Sequence, residues 1–332
     1  MRGDDGVLHG PLARSRALLL LLAASLALSL LAPDAVAQIK MVTGAEAADL
    51  RIGRDLAELV AAAANVQLEV VGAPSSPGTL ERLRTDPSVK LAAAHADVYR
   101  AFLARAGNAA PPPRVMLALP DKEVHFVARA EAPFEYLHQI EDARINAGPP
   151  ESGTAAATGA IYRLMFGRAL DGEQTTFLPH EEALVKLVTD GTIDVVAIAA
   201  GQPAALLANV KPEARRYIKL LALDPGHPAA KAAMRAYPAA TVRAASYPAL
   251  LAEDVRTLAV RMYLVTLDYR DHATETRLIR FSRALCQRFP DLRTKGHPKW
   301  REAAPRLAPL PDGWKYYPPT RDELRGCRAA AL

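Results

Sequence analysis

The sequence predicts an α/β protein of two lobes, each built on a parallel-rich sheet, with the chain crossing between them twice. Three observations predict it. Residues 39–107 alternate strand and helix patterns as β-α-β-α-β-α, the signature of a parallel sheet covered by helices. A second α/β series runs over 143–223. Two long strand patterns, 124–130 and 257–267, join the series and act as the crossovers.

Each element has a local reason. "IKMVTG" (39–44) is a strand entering a glycine turn, and "IGRDLAELVAAAA" (52–64) places apolar residues at helical spacing. "VQLEVVG" (66–72) is a strand, "APSSPGT" (73–79) a turn, and "LERLRTD" the helix after it. "VKLAAAHADVYRAFLARAG" (89–107) is a buried strand, then a helix, and "NAAPPPR" (108–114) is a stiff loop. "VMLALP" (115–120) and "VHFVARA" (124–130) read as two strands. "ARINAG" (143–148) is a strand, 154–166 a helix, and 181–201 a helix, turn and strand. A helix starts at 203–210, 217–223 is a strand, "DPGHP" (224–228) a turn, and 241–246 is extended. The strand at 255–267 precedes an amphipathic helix at 275–289 and a tail, 297–326, rich in Pro and aromatics with a short last helix.

The first residues carry an export signal. Arg14 and Arg16 precede the apolar run 17–32, Pro33-Asp34 breaks it, and "AVA" (35–37) supplies a small-residue cleavage site. The run is shorter than the ~20 residues a membrane span needs, so the expected product is soluble and periplasmic. About 300 residues remain, enough for two lobes. The formal net charge of +5 is scattered along the chain, and "ARRYIK" (214–219) reads as a solvated helix face, which argues against nucleic acid as a partner. Two cysteines, Cys286 and Cys327, are present. In an exported protein an even count favours a disulfide; the alternative is two unrelated buried thiols.

Ligands of such sheets sit where strands end and loops converge, which selects loops 43–50, 73–79, 94–97, 148–154 and 200–203. The richest is in "INAGPPESGTAAATGAIYRLMFG" (145–167). A strand, Gly-Pro-Pro, small polar residues and a helix start offer free N–H groups and the positive end of a dipole to an anion. The stretch lacks the lysine of a phosphate-binding loop, and its prolines remove donors. It also lacks the first glycine of a nucleophile elbow, so Ser152 reads as a hydrogen-bond donor. The carboxylate of a small solute remains, held by Ser152, Gly153 and Thr154. Across the cleft stand Thr43, Gly44, Glu46, Ser76, Thr79 and His95, and Gly201 and Gln202 line the wall of the second lobe. His95 is either a ligand residue or a helix-start histidine bonded to its own backbone, and Asp97 either a cap or a cleft residue. Glu46 and Asp49 are either caps of helix 52–64 or ligand contacts; as a contact, Glu46 favours a solute that also bears an amine. The histidines show no i, i+4 pair and no Cys/His metal spacing, so no metal and no cofactor are expected. Trp300, Trp314, Tyr316 and Tyr317 read as packing on the outside of a lobe.

These pieces, in order, resemble the TAXI family of extracytoplasmic solute-binding proteins of tripartite (TRAP) transporters. The stretch 145–167 is similar to the family's Val-Gly-Pro-Pro-Gly-Ser-Gly-Thr turn and helix, and "VTDGTIDVVAIAAGQPAALL" (188–207) to its Asp-Gly-Lys-Ile-Asp-Ala segment. "VHFVAR" (124–129) resembles its crossover strand, and "GHPKWREA" with "LPDGWKYYPPT" its tail. The resemblance implies a bilobal, type II periplasmic-binding-protein-like fold, with lobe 1 at 38–128 and 258–332 and lobe 2 at 129–257. It implies a monomeric, non-enzymatic protein that closes on a small organic solute, a carboxylate or amino acid, and delivers it to TRAP permease membrane subunits. The first loop departs from the family: "TGAEAADL" (43–50) stands where a glycine-rich, tyrosine-bearing loop is usual, and "SPGT" (76–79) replaces Ser-Val-Glu-Asn. Two readings compete: a ligand-sensing partner of a signalling receptor, and an exported hydrolase using Ser152, for which the local sequence supplies only Glu151 as a base.

The export signal predicts that residues 1–37 are missing from the mature protein. Intact mass of periplasmic material checks this; a mass that still includes Met1 to Ala37 overturns it.

Overall fold

Strand β1 (Ala37–Gly44) buries Ile39, Met41 and Val42 on both of its faces, as an interior parallel strand requires. The computed structural model describes residues 37–73, 75–106, 112–311 and 313–327. The expected export signal falls on 1–36 and lies outside the described residues, apart from Ala37, as does most of the 108–114 loop. Among the described residues, no helix is long and apolar enough to cross a membrane. The further strands are β2 (Val66–Ala73), β3 (Val89–His95), β4 (Arg114–Arg129), β5 (Ile145–Asn146), β6 (Thr175–Thr176), β7 (Val195–Ala200), β8 (Ile218–Leu220), β9 (Ala239–Val242) and β10 (Val255–Thr266). The helices are α1 (Ala47–Asp55), α2 (Ser76–Thr85), α3 (Ala96–Ala106), α4 (Gly153–Phe166), α5 (His180–Thr189), α6 (Ala205–Ala208), α7 (Pro228–Met234), α8 (His272–Lys295) and α9 (Pro318–Arg325).

The sequence predicts two parallel-rich sheets; the structure has two parallel strand groups within a single sheet. β1 pairs with β3 in one, and β5 with β6 and β7 in the other. They are stitched into one hydrogen-bonded sheet of order β2-β1-β3-β10-β4-β7-β5-β6. The stitching is done by β4 and β10, antiparallel to each other over 114–123 and 259–266. The far end of β4 pairs with β7 and β8, and the near end of β10 with β9. Each long strand therefore serves both parallel groups.

Four local expectations are corrected. Residues 115–120 and 124–130 are one strand, β4. Val260 stands opposite Lys122 and Met262 opposite Leu119, so Pro120 and Asp121 face the single residue Arg261. This is a β-bulge, one of the few places a sheet tolerates proline. Helix α1 begins at Ala47 rather than 52 and continues through a π-turn (Leu56–Ala61) and a 3-10 turn to Ala64, which shortens the first loop to two residues. Helix α2 begins at Ser76, capped by the Ser75 side chain accepting from the Gly78 N–H at 3.2 Å. Pro290 lies inside α8 rather than ending it, because Phe289 and Leu292 on either side are buried in the core and hold the last turn.

Four buried apolar clusters fill the faces of the sheet. Two draw on residues 39–119 and 262–324 and two on 124–260. Gln38–Leu332 form one compact unit. Trp300, Trp314 and Tyr317 are buried within the first two clusters, so the tail is core rather than an outer covering. Cys286 of α8 and Cys327, just after α9, are disulfide-bonded, and the Arg283–Glu323 pair, 2.7 Å, reinforces that junction.

The bond closes a loop of sequence separation 41, so Cys286→Ser with Cys327→Ser is expected to destabilise the protein by about 4 kcal/mol in the chain-entropy model. Denaturant unfolding of the double variant against the oxidised protein measures it; equal stability overturns it.

Candidate functional site

The C-terminal ends of β1, β3 and β7 meet the bulge of β4 around a small cavity whose surface is largely apolar, from Ile52, Leu119 and Met262, with charged side chains at its edge. Its lining includes Thr43, Asp49, Asp121, Lys122, Gly201 and Lys299. The cavity volume is about 30 Å³, room for one or two waters.

Lys122 projects from β4 into this space. Its ammonium donates to Asp49 at 2.7 Å and lies 3.7 Å from Glu46. Burial works against the Lys122 charge, but Asp49 and Glu46 outweigh it, and its pKa ends above the ordinary lysine value. Gly44 is required here: a Cβ on it would lie 2.1 Å from an Asp49 carboxylate oxygen. Next along β4, Glu123 pairs with Lys299 at 2.6 Å, and both side chains are buried. Lys299 also pairs with Glu302, which reaches Arg243 at 3.6 Å. Burial pushes Asp121 up to about 6, against the pull of Arg261 and Lys299.

A second cluster, outside the lining of this cavity, forms at the N-terminus of α4. Ser152 caps it, its Oγ accepting from the Ala155 N–H at 3.0 Å. His95, at the end of β3, lies directly on Gly153: a Cβ there would stand 2.1 Å from the imidazole Cε1 and 2.6 Å from Nδ1. The imidazole is buried and its Nδ1 has no hydrogen-bond partner. Burial, then the Lys122 charge, holds it neutral, well below the ordinary histidine range. His180 opens α5 with its Cε1 3.1 Å from where Gly148 would carry a Cβ. Its Nδ1 is likewise buried without a partner, and burial with Lys122 lowers its pKa to about 4.

Among the residues singled out from the sequence, Thr43 and Gly201 line the cavity, Gly44 and Glu46 adjoin it through Asp49 and Lys122, and His95, Ser152 and Gly153 meet at the α4 N-terminus. The others are engaged in the fold. Thr79 donates to the Ser76 carbonyl one helical turn back, at 2.7 Å. Thr154 Oγ1 accepts from the Ala199 N–H at 3.2 Å. Ser76 contributes its backbone N–H, which donates to the Glu151 carbonyl at 3.1 Å. The Gln202 amide donates to the Thr241 carbonyl and accepts from the Arg243 N–H, while its backbone N–H donates to Glu123. Asp97 is neither a free cap nor a free cleft residue: it accepts from the Val98 N–H and from Tyr237 Oη, 3.0 Å away. Glu46 sits at the N-cap of α1 without a side-chain capping bond.

Sequence reasoning missed Lys122, Lys299 and His180 and saw Asp49 only as one of two open cases. The available signal was "PDKEV", three charges between two apolar runs with too few residues for a loop.

Residues 43–281 match the family model described as NMT1-like family. No curated protein matches the chain. Solved structures similar to it include XAC2383 from Xanthomonas citri bound to ATP, 16% identical, covering 87% of this chain and 94% of that one with a TM-score of 0.50. A TctC solute-binding protein from Polaromonas is 15% identical over 81% of this chain and 88% of its own, TM-score 0.44. The periplasmic aliphatic sulphonate binding protein SsuA from Escherichia coli is 16% identical over 88% and 84%, TM-score 0.44.

The His95–Gly153 contact leaves no room for a side chain. Gly153→Ala is expected to hold the α4 N-terminus away from β3 and to raise the radius of gyration in small-angle scattering. His95→Ala in the same chain is expected to restore the wild-type value. An unchanged radius in the single variant overturns this.

Proposed function

Because the chain belongs to the NMT1-like family and brings the ends of two parallel strand groups together over a cavity edged by charged side chains, we propose that it is a periplasmic solute-binding protein. It captures a small organic solute, a carboxylate or amino acid, between lobe 1 (38–128 and 258–332) and lobe 2 (129–257). It then delivers the solute to the membrane permease subunits of a TRAP transporter of the TAXI type. No bond is made or broken. The solute bridges the lobes and shifts the population from open to closed, with β4 and β10 as the hinge.

The observation that carries this reading is the set of contacts between the two proposed lobes at the cavity mouth. His95 rests on Gly153, the Ser76 N–H donates to the Glu151 carbonyl, and Tyr237 donates to Asp97. The Gln202 N–H donating to Glu123 and the Arg243–Glu302 pair also join the proposed lobes, and all of these are single, reversible contacts. Ser152 and the first N–H groups of α4 face a carboxylate, and Lys122, Asp49 and Glu46 supply paired charges for a solute that also carries an amine. Thr43 and Gly201 complete the lining.

The test begins with mass spectrometry of small molecules released from the purified protein. The identified solute, titrated back into stripped protein, is expected to bind by calorimetry and to lower the radius of gyration. Binding without compaction overturns hinge closure, and a released molecule that does not rebind overturns solute capture.

A further inference from the structure

Two imidazoles flank the α4 N-terminus, His95 buried and His180 half-buried, and the fold gives neither Nδ1 a hydrogen bond. His95 reaches it from β3, and His180 reaches the Gly148 turn just before it from α5. Each leaves Nδ1 without a hydrogen-bond partner, and a buried polar atom without a partner costs free energy. The first N–H groups of α4, those of Gly153 and Thr154, have no acceptor within the helix and stand at the positive end of its dipole. Lys122 acts on both imidazoles as a positive charge, offset in part by its partners Asp49 and Glu46. The Nδ1 atoms of His95 and His180 and the first N–H groups of α4 can each donate to an anion once the imidazoles are protonated, while Ser152 Oγ is already used as an acceptor by the Ala155 N–H.

We infer that the α4 N-terminus, His95, His180 and Lys122 form an oxyanion subsite that takes up its ligand together with protons on the two imidazoles. The inference rests on the solute-capture reading and specifies how that site is regulated. In the closed molecule His95 covers Gly153 as a neutral ring. Protonated, it is repelled by the helix dipole and by Lys122, which favours opening. An oxyanion at the α4 N-terminus reverses the balance: the imidazolium groups, the dipole and Lys122 then all face a negative charge, and the Nδ1 atoms gain an acceptor. The chemistry fits a carboxylate, sulfate or phosphonate group alike.

The charged surroundings support this sign. Facing His95 are Lys122 of β4 and, through it, Asp49 of α1 and Glu46 just before that helix. Asp97 of α3 is held by Tyr237 and the Val98 N–H. Facing His180 is Lys122, while Glu181 and Glu182 of its own helix are exposed. Asp49 and Glu46 are already engaged by Lys122. Both histidines have a lowered pKa in the molecule without ligand, and a bound anion raises it. Linkage then requires affinity to increase as pH falls through the ligand-bound pKa, by up to about tenfold per pH unit for each proton taken up.

The probes are sulfate and trifluoroacetate, both fully ionised at the pH values used, one tetrahedral and one a planar carboxylate. Calorimetry of the whole protein at about pH 8 and about pH 5.5, in buffers of different ionisation enthalpy, reads affinity and proton uptake. Imidazole resonances followed by NMR read the pKa of His95 and His180 with and without the anion. The expected result is binding at least about tenfold tighter at the lower pH, proton uptake on binding, and upward shifts of both histidines. His95→Gln and His180→Gln are each expected to flatten the pH profile and lower the proton uptake. If one variant fails to fold, the wild-type NMR titration decides alone. Stronger binding of trifluoroacetate assigns the subsite to carboxylates, and of sulfate to tetrahedral oxyanions. No binding of either anion, pH-independent binding, or unmoved histidine pKa values overturn the inference. The released solute can still bind and compact the protein in that case, so the two readings fail separately.

Discussion

Lys122 and Glu123, adjacent on β4 and both buried, impose the constraint on which the rest of this molecule depends. A buried charge is tolerated only when it is paired, and breaking such a pair costs about 3–5 kcal/mol. Neighbouring strand residues point to opposite faces, so the two charges need partners from different directions. Lys122 finds Asp49 and Glu46 from the first loop and α1, and Glu123 finds Lys299 from the tail and the backbone of Gln202. The first helix, the tail and the end of β7 are thereby fixed to one point of the sheet. Asp55 secures the tail from below by accepting from the His297 N–H and Trp300 Nε1.

The same point is where β4 bulges, and the two facts are connected. Pro120 cannot contribute a ladder hydrogen bond, so pairing with β10 skips at Arg261. A bulge bends a strand and increases its twist. In the proposed closure, this bent segment is where the two lobes turn against each other. The contacts across the cavity mouth are single hydrogen bonds and one ring packed on glycine, each worth about 1 kcal/mol net. A solute's differential binding energy readily outweighs a barrier of that size. The charge pairs at the base are anchored, while the contacts at the mouth are breakable, and that gradient suits a jaw.

The parallel strands and their helices were legible because burial on both faces writes continuous apolar runs, as in "KLAAA" and "VVAIAA", and helices write a period near 3.6. The α4 N-terminus was legible for a local reason as well: Ser152 caps within three residues. The unity of β4 was not, because Pro120-Asp121-Lys122 carries the chemistry of a turn and only an opposing strand, over 130 residues later, makes it a bulge. The start of α1 at Ala47 escaped because the acidic, glycine-poor segment reads as a loop until Asp49 is seen paired to a lysine 73 residues away. His180 gave no signal, since an exposed helix start and a half-buried one have the same local sequence.

By itself, then, the sequence determined the alternation of strands and helices, the start of α4 at Ser152, and the two cysteines available for a bond. These depend on interactions within a few residues, which composition and spacing record. Only the tertiary structure decided that the two strand groups share one sheet, that Lys122 rather than a glycine-rich loop fills the cavity floor, and that His95 closes on Gly153. Those outcomes depend on pairing between segments far apart in the chain. A charge declares its need for a partner in the sequence, but which partner it takes is settled by burial and distance.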